Sequence, residues 1–233
     1  MRFYMVDKMH GECYQEGFLH SQKNFASKNP AEMASNSGAV YRPELSIITL
    51  QSLRQSIDVY FPDGKVVFSD SDLSPVWPWR LIILNYLYRA DNTAVSNRLI
   101  SYRELEGGGL FFSTFVRYNI EPLTRAFSNQ PPEQIERACL KLANNIERKN
   151  CISAVFSFLP RFPVTVQIWP HDEEVGGSTN ILFDASANQY LHTEDISAVG
   201  DMVSYFLIKE YEQESGTDIL QTSGGIRPFW SFD

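Results

Sequence analysis

Val164, Val166 and Ile168 alternate with Thr165, Gln167 and Trp169, and a period of two marks a strand with one buried face. Pro163 and Pro170 bracket the run where it should stop, since proline has no amide hydrogen to give a ladder. Residues 179–184 are again strand-like, and the stretch between the two runs, from His171 to Ser178, carries Asp172, Glu173 and Glu174. The simplest reading is an antiparallel hairpin with an acidic loop, in which Val166 and Ile168 face the core.

The same patterning extends along the chain. Residues 46–50 and 57–62 are strand-like, and Asp63-Gly64 supplies the turn into residues 65–68 because glycine accepts positive φ. Pro75 and Pro78, with Ser74 as N-cap, open a helix to Ala90 that is apolar around most of its circumference through Trp77, Leu81, Ile82, Leu84, Leu87 and Tyr88. Such a helix belongs at the centre, covered on several sides. A short strand is predicted at 99–102, followed by a helix that Gly107-Gly108-Gly109 feed through the aromatic run 110–115. Pro122 marks a further helix over 121–127, and Pro131-Pro132 open another whose Ile135, Cys139, Leu142 and Ile146 share one face. Residues 154–159 form an apolar strand. Thr193, with Glu194 and Asp195 in the first turn, starts an amphipathic helix carrying Ile196, Val199, Val203, Phe206 and Leu207.

These elements predict an α+β fold, one domain with a mixed or antiparallel sheet packed against several helices. Residues 1–40 read as a weakly patterned extension, in which 31–34 close a helix before the Asn36-Ser37-Gly38 turn. Residues 41–210 read as the core domain. Residues 211–233 read as a polar tail whose Ile226 to Trp230 stretch docks on the body.

Composition adds limits. The 233 residues, 43% hydrophobic and 13% aromatic, can bury one sizeable core. A net charge of −8 and a pI near 5.1 argue against nucleic acid or an anionic membrane surface as the main partner. Charge interrupts the first residues before an apolar run can develop. The longest apolar cluster, Leu81 to Leu84 with Tyr86 and Leu87, is closed by Arg80 and Arg89, so a cytoplasmic protein is expected. Cys13, Cys139 and Cys151 include no pair at metal-ligand spacing, and their odd number fits a reducing compartment. An iron–sulfur cluster needs four converging ligands, so none is expected in this chain.

The candidate chemistry centres on the hairpin. Gly107, Gly108, Gly109, Trp169, Asp172, Glu174 and Asp184 form the candidate ligand-binding set. His171, Asp172, Glu174 and Asp184 are the candidate metal ligands, hard oxygens with one imidazole, beside Glu173 as base. Each has a plainer reading. An acidic turn is usually solvated. Asp184 ends an apolar run before small residues and suits a capping role. The triple glycine lacks the lysine and hydroxyl of a phosphate-binding loop, so tight helix docking explains it better. No Gly-x-Ser-x-Gly elbow exists, His192 reads as the surface of a helix start, and His10 and His20 fall in the weakly patterned segment.

Asp63-Gly64 after a strand, the 81–90 helix, Ser101-Tyr102-Arg103-Glu104-Leu105 with Gly107-Gly108, the run 158–164, and Trp169 through Phe183-Asp184 together resemble a bacterial and archaeal family catalogued as a domain of unknown function. The resemblance spans about residues 38–207. Some members of that family are fused to a four-cysteine domain and labelled iron–sulfur proteins, and this chain departs there because it has no such cysteine cluster. The preferred expectation is a ligand-binding or accessory protein, working beside redox or metal-cofactor enzymes, with a small molecule or a protein as partner. A metal-assisted hydrolase built on the acidic loop is the alternative. A structural domain that forms homo-oligomers through Trp77, Trp79 and Phe229-Trp230 is the third.

Overall fold

A computed structural model describes residues 2–7, 15–171 and 176–219. In chain order its main elements are α1 (Gln15–Ala26), α2 (Pro30–Ser37), β1 (Val40–Arg42), β2 (Ile47–Ser52), β3 (Gln55–Tyr60), β4 (Val66–Phe68), α3 (Trp77–Arg89), β5 (Leu99–Ser101), α4 (Gly108–Phe115), α5 (Glu121–Phe127), α6 (Pro132–Leu142), β6 (Asn145–Arg148), β7 (Ile152–Leu159), β8 (Phe162–Trp169), β9 (Ser178–Asp184), α7 (Ala187–Tyr190) and α8 (Thr193–Ser215). The fold is α+β. The strands of the described residues make two antiparallel sheets rather than one, ordered β1-β2-β3-β4 and β5-β9-β8-β7-β6.

The expected hairpin is present: β8 and β9 pair antiparallel from Val164↔Phe183 to Trp169↔Ser178. Val164, Val166 and Ile168 are fully buried, as the alternation requires. The turn after β3 also forms as read, with Gly64 at φ +67. The two sheets meet where the β2–β3 turn touches the end of β7: Leu53 N–H donates to Ser157 O at 2.9 Å, and Ser52 Oγ donates to Phe158 O. Trp79 Nε1 donates to that same Ser52 oxygen at 2.9 Å, so this indole lies at the joint between the sheets and α3.

Trp79 is therefore core, not the exposed interface anchor that its sequence context suggested, and Trp77 is partly buried against the core. The cap of α3 also differs. Val76 holds the N-cap position without a side-chain bond, because residues 74–76 run extended beside residues 5–7, with Asp7 N–H donating to Ser74 O and Val76 N–H to Met5 O, each at 2.9 Å. Ile146 belongs to β6 and not to the preceding helix, since the helix ends at Leu142 and Ala143 turns extended.

The segment ahead of β1 holds two helices. Asn29 caps α2 by accepting from Ala31 N–H at 2.9 Å, Gly38 closes it at φ +74, and Phe25 of α1 is fully buried. At the other end, α8 continues past Glu210 to Ser215.

Residues 108–127 form one helical run. Between α4 and α5 lies a π-turn, Val116–Ile120, with right-handed helical backbone on both flanks. Pro122 has no N–H to donate to the turn before it, and at the end of that turn Ile120 O accepts from Thr124 Oγ1 at 3.2 Å and from Thr179 Oγ1 at 3.1 Å. This run lies beside α8 in the same direction. Thr193 meets Glu106, Ser204 Oγ donates to Asn119 O at 3.1 Å, and Tyr211 OH donates to Gln130 Oε1 at 2.8 Å.

Candidate functional site

The hairpin loop is fastened at both ends to one residue. His171 N–H donates to Ser128 O at 2.9 Å, and a Cβ on Gly177 would stand 2.6 Å from Ser128 Cα, so glycine permits that approach. His171 itself is exposed and borders a shallow cleft of about 340 Å³ with Ser128, Asn129, Gln130, Pro131, Pro132 and Pro170. Trp169 is half-buried at the end of β8. Asp172, Glu173 and Glu174 lie outside the described residues.

Asp184 is elsewhere. It closes β9, six residues beyond the Ser178 that pairs with Trp169, which at ~3.3 Å per residue places it about 20 Å away. Its Oδ1 accepts from Ser186 N–H at 2.9 Å, Ser186 Oγ at 2.6 Å, Ser96 N–H at 2.9 Å and Ser96 Oγ at 2.8 Å. Burial pushes this carboxyl up, but those hydrogen bonds outweigh burial and hold it below the ordinary aspartate range. The capping reading describes what Asp184 does here. The structure does not bring it together with His171.

Gly107, Gly108 and Gly109 open α4, Gly107 at φ +70. A Cβ on Gly108 would fall 1.9 Å from Tyr102 O, so this residue is glycine because the helix start seats directly on the preceding turn. That turn is tied to the head of α8: Glu106 N–H donates to Asn188 Oδ1 at 2.9 Å, and Thr193 Oγ1 donates to Glu106 O at 2.5 Å. The glycines and the pair Trp169 and His171 are thus held by different elements.

Among the described residues no group of three or more His, Cys, Asp or Glu side chains is placed to hold a metal ion. Cys139 is buried in α6, where burial, with Glu136 adding to it, pushes its thiol up to about 12. Cys151 sits in the β6–β7 turn, and Cys13 lies outside the described residues. No helix among them is long and apolar enough to cross a membrane.

Two features were not legible in the sequence. The first is a polar chain through three helices. Ser21 Oγ donates to Asn85 Oδ1 at 2.6 Å, and Asn85 Nδ2 donates to Asp195 Oδ1 at 3.1 Å. Burial raises the Asp195 carboxyl, and the contacts with Asn85, His192 and Arg89 offset only part of that. The residues that meet come from α1, α3 and α8, and no local pattern links them.

The second is the outer face of the 108–127 run. Phe115 turns inward and stacks on Tyr102 with ring centroids 4.1 Å apart. Leu110, Phe111 and Tyr118 face out, 84%, 49% and 57% exposed. With Thr114, Arg117, Glu121 and Arg125 also exposed, the outward positions recur at helical spacing and form one stripe. A hint of it was present in the run Gly108 to Phe115, which is too apolar for a helix with a solvated side.

A family model described as "Domain of unknown function (DUF3786)" matches residues 29–206. No curated protein and no solved structure matches the chain.

Proposed function

The chain belongs to the DUF3786 family, and from that starting point we propose that it is an accessory domain that works by docking onto a partner protein through the outer face of residues 108–127. One observation carries this reading. Among the described residues Phe111 and Tyr118 are the only Phe, Tyr or Trp side chains left exposed, and they share one helical run with Leu110, the most exposed large apolar residue; exposed aromatics grouped in this way are a usual mark of an interaction surface. Arg117 lies over the Tyr118 ring, 5.5 Å from its centroid. Arginine beside tyrosine suits a contact zone, because both offer apolar area and hydrogen-bond donors.

Two features make the face a stable platform. The helix is pinned at its start by Gly108 on Tyr102, in its middle by the contact of Asn119 with α8, and just past its end by that of Gln130. Its residues are therefore presented in a fixed arrangement, which lowers the ordering cost of association.

The test is site-specific photo-crosslinking in the native host. A photoreactive residue in place of Phe111 should give one discrete product. The same residue in place of Leu45, which is 53% exposed in the β1–β2 turn, should not. Leu110→Glu with Tyr118→Glu should abolish the product while leaving the melting temperature unchanged. Equal labelling from both positions, or a product that survives the double substitution, would overturn the docking reading. A product consisting of two copies of the chain would assign the face to self-association.

A further inference from the structure

A second cleft, about 560 Å³, lies away from that helix face, between the end of α6, the start of β3 and the last turns of α8. Its walls are Arg2, Gln55, Lys141, Glu210, Gln213 and Glu214. Glu210, Gln213 and Glu214 stand at i, i+3 and i+4 and so share one side of α8. Lys141 is in the last turn of α6 and Gln55 opens β3. Four separate parts of the chain thus converge on a space within the range of small-molecule sites.

The charges on the walls are balanced, two cations and two carboxylates, and they differ in how firmly they are held. Glu210 is buried and accepts from both the Arg2 guanidinium and the Tyr4 hydroxyl, while Arg2 also donates to Lys141 O at 2.9 Å. This pair forms a fixed floor. At the rim, Glu214 Oε1 is taken by Arg137 Nε at 2.8 Å, whereas Lys141 Nζ reaches Glu214 Oε2 only at 4.0 Å and is 51% exposed. Lys141 therefore has donors to spare. The Gln55 and Gln213 side-chain amides supply neutral donors and acceptors between the charges.

We propose that this cleft binds a small zwitterion, a molecule of amino-acid or betaine type with one carboxylate and one cationic nitrogen. The carboxylate meets Lys141, with the Gln55 and Gln213 amides beside it, and the cation meets the Glu214 side. A singly charged ligand would satisfy one wall and be repelled at the other, while an apolar ligand would displace water from Lys141 Nζ and the Gln55 and Gln213 amides without replacing its hydrogen bonds. The volume admits an amino acid with several waters, each taking ~30 Å³. This inference is independent of the docking reading, because none of its residues lies on the 108–127 helix.

The test is calorimetric titration of the whole chain with glycine betaine and L-glutamine as dipolar probes, and with acetate and tetramethylammonium as single-charge controls. At least one dipolar probe should bind ~10-fold or more tightly than either control, about 1.4 kcal/mol. Lys141→Ala should weaken that binding by a similar factor, and Lys141→Gln by less. Both substitutions are at a half-exposed position and should leave the melting temperature in place. Leu110→Glu should leave the binding unchanged. The proposal is overturned if neither dipolar probe binds, if acetate or tetramethylammonium binds as well, or if Lys141→Ala has no effect.

Discussion

Ser96 reaches across 88 residues of sequence to give both its backbone N–H, at 2.9 Å, and its hydroxyl, at 2.8 Å, to one oxygen of Asp184. With the two bonds from Ser186, this carboxylate fastens the loop before β5 to the turn after β9.

Asp184→Ala should therefore leave the buried Ser186 donors without an acceptor and cost about 1–3 kcal/mol. Asp184→Asn keeps an acceptor and should cost less. The direction with pH follows from the lowered carboxyl: its stabilisation is present above the pKa of the unfolded chain and is lost as pH falls through the folded value. Denaturation from pH 7 down to pH 2 should show a shallower acid decline for Asp184→Asn than for the native chain. Parallel curves would mean that Asp184 is not tied to Ser96 and Ser186 in this way.

Asp195 should behave with the opposite sign. Its carboxyl is raised in the fold, chiefly by burial, so the ionised form is disfavoured there relative to the unfolded chain. Stability is lost as pH rises through the unfolded and then the folded value. Asp195→Asn still accepts from Asn85 and does not ionise, so the melting temperature of the variant minus that of the native chain should become more positive between pH 4 and pH 7.5. A difference that is flat, or that falls with pH, contradicts this assignment.

The triple glycine gives a test of helix docking against phosphate binding. Gly108→Ala forces a Cβ to within 1.9 Å of Tyr102 O and should cost about 2–3 kcal/mol or more. At Gly109 the nearest atom to a new Cβ is Arg103 O at 3.8 Å, so Gly109→Ala should be neutral or stabilise by up to ~1 kcal/mol. Chemical denaturation of the two variants decides it, and equal losses at both positions would remove the packing explanation.

The hairpin faces can be checked the same way. Val166 is fully buried and Gln167, its neighbour on the other side of the strand, is only half-buried. Val166→Asp should destabilise by at least ~3 kcal/mol because it buries an unpaired carboxylate. Gln167→Asp should cost less than ~1 kcal/mol. A native-like melting temperature for Val166→Asp would show the strand to be one residue out of register.

What the sequence by itself determined is whatever a few adjacent residues encode. Alternation identified β8 and β9 and the buried side of β8. Asp63-Gly64 marked a turn that only a residue tolerant of positive φ could close. Small residues after Asp184 marked a capped turn, and a broad apolar circumference marked α3 as central. Tertiary structure alone decided which faces stay uncovered and which distant side chains meet. Trp79 and Trp77 read alike in the chain, yet Trp79 is enclosed because two sheets close over it at Ser52. Phe111 and Phe115 have the same composition around them, yet only Phe115 finds Tyr102 to stack on. His171 and Asp184 looked like members of one site because they are close in sequence, but an extended strand carries its two ends apart. Periodicity reports the side of an element that wants burial. Whether a second element arrives to bury it, and which polar groups converge when it does, is set by packing between residues far apart in the chain, where no local pattern reaches.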